Sequence, residues 1–292
     1  MIRFRSLLFV PGNREDMLAK AGDLLADVLV PDMEDSVPQN EKERAREIVG
    51  KVVKSLAHRG QAIVPRVNAL DTGLTAGDMA AVVGPMVYGV SVGKVSSVWE
   101  VNQITKILDT IEEKQGISLG HTKLILWIEG ARAVIQAYEI AQASPRIVGV
   151  AFGAEDYTND MDIKRTKEGQ EIQFARSMVA VAARAANVIG FDTPYVNFRD
   201  NEGLQRDVDI SLRLGYKGKF AIHPGQLETI NRLFSPSLEE IEHARRVVQA
   251  FEEAQSRGSG ATSLDGAMID VPVVKRARTL LALADADKRQ PS

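Results

Sequence analysis

Glu129 and Asp156 are the two residues whose type and placement most invite a chemical reading. Glu129 directly follows the apolar run Ile-Leu-Trp-Ile, and Asp156 closes Ala-Phe-Gly-Ala-Glu-Asp. Two carboxylates at the ends of successive apolar runs suit a hard, oxygen-preferring cation such as Mg²⁺. That ion takes one or two carboxylates and leaves positions for water and substrate oxygens. The chain has no cysteine and only four histidines, so softer ligand sets are poorly supplied. The competing reading is that each acid pairs with an arginine or caps a helix.

Other polar residues fall at comparable positions. Asp32, Glu34 and Asp35 follow one apolar run, and Arg66 sits within Val-Pro-Arg-Val-Asn. A guanidinium among apolar neighbours needs an anionic partner. Arg66 could serve a substrate carboxylate or enolate oxygen, or neutralise Glu34 or Asp35. Lys94 opens a rival chemistry, a Schiff base with a carbonyl substrate. The surrounding acids oppose it, because they hold the amine protonated. Asn197 and His223 end two further runs. His223, in Ala-Ile-His-Pro-Gly, could act as a base, but a hydrogen bond to a loop carbonyl is the preferred reading. His58, His121 and His243 show no ligand spacing. Asp270, before a helical stretch, reads on spacing as a cap.

These residues need a scaffold that gathers strand ends at one mouth. Short β-rich runs at 6–10, 27–31, 61–67, 87–92, 123–128, 147–152, 194–197 and 219–222 alternate with helical periods. Among the helical stretches, 40–56 has Asn40 and Glu43 in a capping-box pattern, and 131–141 follows Glu129. Eight strands alternating with helices predict parallel pairing and a (β/α)₈ TIM barrel. Its active site lies at the C-terminal strand ends. A doubly wound open sheet competes, but no G-x-G-x-x-G or P-loop pattern follows any strand. The 292 residues exceed the roughly 250 that such a barrel needs. The division expected is a barrel over 1–234 and a C-terminal helical extension over 235–292. Within the extension, Ser237 and Glu240 form a capping box ahead of one helix, and 267–284 forms another.

The formal net charge of −3 gives no reason to expect nucleic acid or an anionic membrane as partner. Without cysteine there is no disulfide and no thiolate site. The first ten residues do not read as a signal peptide, and no apolar stretch is long enough to span a bilayer. A cytoplasmic location is the expectation.

Seven motifs occur in order: Leu-Phe-Val-Pro-Gly (8–12), Asp-Met-Glu-Asp-Ser-Val (32–37), Pro-Arg-Val-Asn (65–68), Ile-Glu-Gly-Ala-Arg (128–132), Phe-Gly-Ala-Glu-Asp (152–156), Ala-Ile-His-Pro-Gly-Gln (221–226) and Met-Ile-Asp-Val-Pro (268–272). Together they resemble the citrate lyase β-subunit-like, or HpcH/HpaI aldolase, family of CoA-thioester lyases. That family includes malyl-CoA and citramalyl-CoA lyases. The resemblance implies a TIM barrel with a C-terminal helical arm, assembled as a homotrimer or hexamer. It implies Glu129 and Asp156 as Mg²⁺ ligands and Arg66 as the arginine that contacts substrate and the enolate oxygen. Asp270 would be a catalytic acid carried to a neighbouring subunit's site, which replaces the cap reading. Glu34 and Asp35 would be acids near the metal and its waters. The amides of Gly153, Ala154, Glu155 and Asp156 would hold the carboxylate of a 2-keto acid. The implied partners are a CoA thioester and a 2-keto acid. Arg14 and Lys20 are candidates for CoA contacts. Alternatives are a citrate lyase β-chain working on a carrier-protein thioester and a Mg²⁺-dependent aldolase acting on free keto acids. The sequence departs from the family pattern at Pro31, Gly93 and Gly130, which leaves the size and identity of the substrate open.

Overall fold

The computed structural model describes residues 3–57 and 61–288. His58 lies outside them. The chain forms two compact units, one reaching Asn231 and one from Arg232 onward.

The first unit is a closed barrel of parallel strands. In order these are β1 (Ser6–Pro11), β2 (Val28–Asp32), β3 (Ala62–Ile63), β4 (Arg66–Val67), β5 (Gly89–Val92), β6 (Lys123–Ile128), β7 (Ile147–Phe152), β8 (Ile189–Asp192) and β9 (Gly218–Ala221). β1 pairs with both β2 and β9, which closes the ring, and β2 pairs with both β3 and β4. β3 and β4 are two parts of one stave, so the barrel has eight, and the expected single run over 61–67 is interrupted at Val64-Pro65. On the neighbouring stave Pro31 has no N–H to donate, so the ladder thins where these two staves meet.

Side chains alternate inward and outward along each strand. Leu7, Val28, Val30, Ile125, Trp127, Ala151, Phe191 and Phe220 belong to one buried cluster that fills the barrel. Its upper layer is aromatic: the Phe9 ring lies 5.0 Å from Phe220 and 5.6 Å from Trp127. This plug is the floor on which the polar residues at the strand ends stand.

Several local expectations change. The seventh strand is Ile189–Asp192, not 194–197. Its outward residue is an acid, which hides the apolar pattern. Asn40 lies within the 3₁₀ turn Gln39–Glu41 and makes no capping box. The segment 131–141 is two short helices, Ala131–Ile135 and Ala137–Gln142, which meet at Gln136. A helix over Thr75–Val82, with no counterpart in the sequence reading, follows β4.

In the second unit, Leu238–Ser256 is a helix with the Ser237 and Glu240 capping box formed. Residues 267–269, expected to be helical, instead form β11 (Ala267–Ile269), antiparallel to β10 (Thr262–Leu264). Asp265 and Gly266 join them at φ 50° and 80°, a turn in which both central residues need positive φ. A last helix covers Val271–Lys288. No described helix is long and apolar enough to cross a membrane.

Candidate active site

Strand parity explains why the acids converge. On β6 the inward residues are Ile125 and Trp127, and one more step of two reaches Glu129. On β2 the same rule takes Val28 and Val30 to Asp32. On β5 and β7 it reaches Gly93 and Gly153. These two glycines flank Glu129. A Cβ on Gly153 would collide with Glu129 Oε2, and one on Gly93 would stand 2.7 Å from Glu34 Oε2 and 3.1 Å from Glu129 Oε1. Gly93 is thus the residue that leaves room for Glu34 and Glu129 at the barrel mouth. Gly130 plays a similar part, since a Cβ there would press to 3.3 Å on Asp160 Oδ2, which accepts the Ala131 N–H at 2.7 Å.

Arg66 is buried and its guanidinium lies 4.5 Å above the Phe9 ring. Asp32 grips it through two hydrogen bonds of 2.7 Å, from Nε and Nη2. Nη1 donates to Asp35 at 3.0 Å and stands 3.1 Å from Glu34 Oε2. So the neutralising role considered for Arg66 is real, and Asp32 is its main partner. Three of the five guanidinium N–H groups are spent in these hydrogen bonds. The other two make no hydrogen bond among the described residues, although Nη1 is also ion-paired with Glu34. Burial alone would raise the Asp32 carboxyl, but the Arg66 charge together with hydrogen bonds from Arg66, Ser36 and Glu34 holds Asp32 below the usual carboxylate range. Lys42 donates to the carbonyls of Met33 and Glu34 at 3.0 and 2.6 Å, which pins the loop carrying the acids.

Lys94 is committed elsewhere. Its ammonium meets Glu34 at 3.2 Å and Asp35 at 3.0 Å, and its basicity rises despite partial burial. A protonated lysine is no Schiff-base nucleophile, so this geometry opposes that chemistry. Its backbone N–H donates to Glu129 Oε1 at 2.6 Å.

Glu129 itself is buried, and its carboxyl is pushed up to about 8. Burial is the largest cause, followed by the negative charges of Asp156 and Glu34. No ion pair neutralises it among the described residues. Asp156 makes no side-chain hydrogen bond or ion pair among the described residues, and Glu34 Oε2 is buried without a hydrogen bond. Burial also raises the Glu34 carboxyl, with the Arg66 charge opposing it. Glu129, Asp156, Lys94, Arg132, Asn159 and Asp160 line one cavity of about 400 Å³. Neither Glu129 nor Asp156 has an ion-pair partner among the described residues, and a hard divalent cation could supply the positive charge. No grouping of three or more His, Cys, Asp or Glu occurs in metal-binding arrangement among the described residues. A pair is nonetheless enough for Mg²⁺, which keeps open positions for water and substrate.

The Glu155 side chain faces Arg165 Nε at 3.5 Å. Of the four amides expected to hold a carboxylate, Gly153 donates to the Ile128 carbonyl and Ala154 to Thr193 Oγ1, which leaves those of Glu155 and Asp156. Among the described residues His223 donates to no loop carbonyl: its Nδ1 accepts the Gly225 N–H at 3.0 Å, and its ring stacks on Phe198. Arg14 pairs with Asp16 and lines, with Asn13 and Arg44, an open hollow of about 590 Å³ after β1. In the C-terminal unit the Asp270 carboxylate accepts the Val273 N–H at 3.2 Å, so it does cap its helix. Asp32, Lys42 and Gly93 carry no such role in the sequence reading. The parity of β2 and β5 could have found Asp32 and Gly93, whereas Lys42 gives no sequence signal.

Comparisons with known proteins bear on the family and the fold. Residues 5–224 match the family model described as HpcH/HpaI aldolase/citrate lyase. The citrate lyase subunit beta of Leuconostoc mesenteroides subsp. cremoris is 38% identical over 283 residues, 97% of this chain and 94% of that one. A (3S)-malyl-CoA thioesterase of Cereibacter sphaeroides is 33% identical, covering 97% and 95%. Among solved structures, the protein CitE of Mycobacterium tuberculosis in complex with magnesium, acetoacetate and coenzyme A superposes with a TM-score of 0.79. It is 27% identical, with 96% and 97% of the two chains covered.

Proposed function

The chain belongs to the HpcH/HpaI aldolase/citrate lyase family of lyases, and on that footing we propose that it is a Mg²⁺-dependent carbon–carbon lyase acting on a 3-hydroxyacyl-CoA thioester. Its products are an acyl-CoA and a 2-keto acid, as with malyl-CoA or citramalyl-CoA. The observation that carries this reading is that Glu129 and Asp156 share one cavity and that neither has an ion-pair partner among the described residues. The binding of magnesium and coenzyme A by the mycobacterial CitE supports it.

Glu129 and Asp156 would hold the Mg²⁺, which when bound supplies Lewis-acid charge to the hydroxyl and carboxylate of the substrate. The chain's own residues then have distinct tasks. The remaining Arg66 N–H groups stabilise the enolate oxygen that forms as the Cα–Cβ bond breaks and its electron pair moves to the thioester carbonyl. The Glu155 and Asp156 amides hold the carboxylate of the keto acid. The hydroxyl proton passes to water, and Asp270 delivers one proton to the enolate carbon and recovers one from water, so the protons balance. Asp270 acts on a neighbouring copy, within a homotrimer or hexamer. Asp35 and Glu34 set the charge around Arg66 and Lys94.

A second reading, a citrate lyase β-chain acting on a carrier-bound thioester, is favoured by the Leuconostoc relative. One experiment separates the readings. The purified protein is given Mg²⁺ and malyl-, citramalyl- or citryl-CoA, and the products are identified. Acyl-CoA with a keto acid supports the lyase, and free CoA with an intact hydroxy acid indicates hydrolysis instead. Turnover that appears only with a carrier-protein thioester favours the second reading. Full lyase activity after complete removal of divalent metal would sink the metal role.

A further inference from the structure

Four non-glycine residues among those described have positive φ: Lys94, Asp162, Asn187 and Asp265. Three are Asp or Asn, which tolerate left-handed backbone because their short polar chains bond locally. Lys94, at φ 57°, has no such excuse. A residue held against its preference at a site marks a device rather than an accident of packing.

Its surroundings show what the turn accomplishes. The left-handed backbone places the Lys94 N–H on Glu129 Oε1 at 2.6 Å. The other oxygen, Oε2, accepts no hydrogen bond among the described residues and faces the Cβ-free side of Gly153. The side chain leaves in the other direction, to Glu34 and Asp35. Gly93, just before it, is the residue whose missing Cβ admits both Glu34 and Glu129.

We propose that Lys94 is a positioning residue: its left-handed turn clamps Glu129 by one oxygen through the backbone amide and thereby presents the other, Oε2, to the divalent cation. The inference rests on the metal reading above. It concerns the backbone, so it separates from the charge of the side chain.

The test uses Mn²⁺ alone as probe, with free ion counted by electron paramagnetic resonance against the purified full-length protein. Lys94→Asn and Lys94→Val both lose the ammonium and keep the N–H. They differ in backbone preference, since Asn accepts positive φ and a β-branched residue resists it. Lys94→Asn should bind Mn²⁺ within about threefold of the wild type, and Lys94→Val should bind at least about tenfold more weakly than Lys94→Asn. If Lys94→Val does not fold, Lys94→Ala takes its place, with a loss of about threefold or more. Equal affinity for the Asn variant and its Val or Ala counterpart overturns the proposal and leaves the metal reading standing. A wild-type protein that binds no Mn²⁺ overturns both. A purely structural role for Lys94 would move the melting temperature of these variants without separating their Mn²⁺ affinities.

Discussion

A carboxyl lifted to about 8 from an ordinary value of 4.5 is an unusual state for an acid at neutral pH, and at Glu129 it has a testable consequence. Between those two values the folded, metal-free protein keeps a proton that the unfolded chain has shed. Its stability should therefore fall as pH rises through that window, the reverse of an acid held by an ion pair. A cation must displace the same proton, so affinity should climb with pH up to about 8 and then level off. The expected slope is about tenfold per pH unit, with one proton released per ion bound. Mg²⁺ titrations by calorimetry at several pH values, in buffers of different ionisation enthalpy, measure both slope and proton count. A flat affinity from pH 6 to pH 8 would show that Glu129 is already ionised without metal. At this scale the sequence was informative wherever strand parity extended one step past a strand end: Ile125, Trp127, Glu129 is a readable series. It was silent where a residue's role depends on a partner far away in the chain, as Arg66 depends on Asp32 and the Met33 and Glu34 carbonyls on Lys42.

Elements position these residues, and one element shows why the sequence reading slipped. On β8 the inward residue is Phe191 and the outward one is Asp192, fully buried. A buried acid breaks the apolar signature of a strand, which is why the strand reading moved to 194–197. Asp192 is tolerable because Lys219 on β9, itself fully buried, donates to it at 2.6 Å and because Arg176 pairs with it as well. Asp207 adds a second acid to Lys219, also at 2.6 Å. Burial alone would raise the Asp192 carboxyl, yet these cations hold it well below the usual range. Asp192→Ala removes one of the two acids that neutralise the buried Lys219 and Arg176 and leaves Asp207 alone against both. We expect a loss of about 3–5 kcal/mol, read as a lowered denaturation midpoint at constant m-value. A double change, Asp192→Leu with Lys219→Met, should recover much of that loss, because two apolar groups need no partner. If Asp192→Ala unfolds like the wild type, the network is not holding β8 and β9 together. The C-terminal hairpin carries the opposite lesson. Asp265-Gly266 is a strong local hairpin signal, but the apolar residues after it also fit a helix, so their pattern alone does not mark the strand Ala267–Ile269.

At the scale of the whole molecule, the barrel unit supplies the proposed metal ligands and Arg66, while the acid proposed for proton transfer belongs to the C-terminal unit. The cap that Asp270 makes on the helix Val271–Lys288 does not exclude catalysis, because one hydrogen bond at 3.2 Å leaves the second carboxylate oxygen available. What decides the matter is whether a site takes its Asp270 from its own chain or from another copy. Glu129→Gln and Asp270→Asn should each be nearly inactive by themselves. Equal amounts of the two, unfolded together and refolded, assemble at random. If Asp270 works in trans, roughly a quarter of the sites then combine an intact Glu129 with an intact Asp270 from a neighbour in a closed ring. Lyase activity should return to roughly a quarter of the wild-type level on that count. If Asp270 works in cis, every site carries one defect or the other and the mixture stays inactive. The same mixture prepared from already folded variants, without unfolding, controls for exchange between assemblies. A recovered activity that rises with the fraction of mixed assemblies would make the oligomer, rather than the single chain, the catalytic unit. A mixture that stays dead while both parents fold and bind Mg²⁺ as expected would return Asp270 to its own barrel or to a purely structural cap.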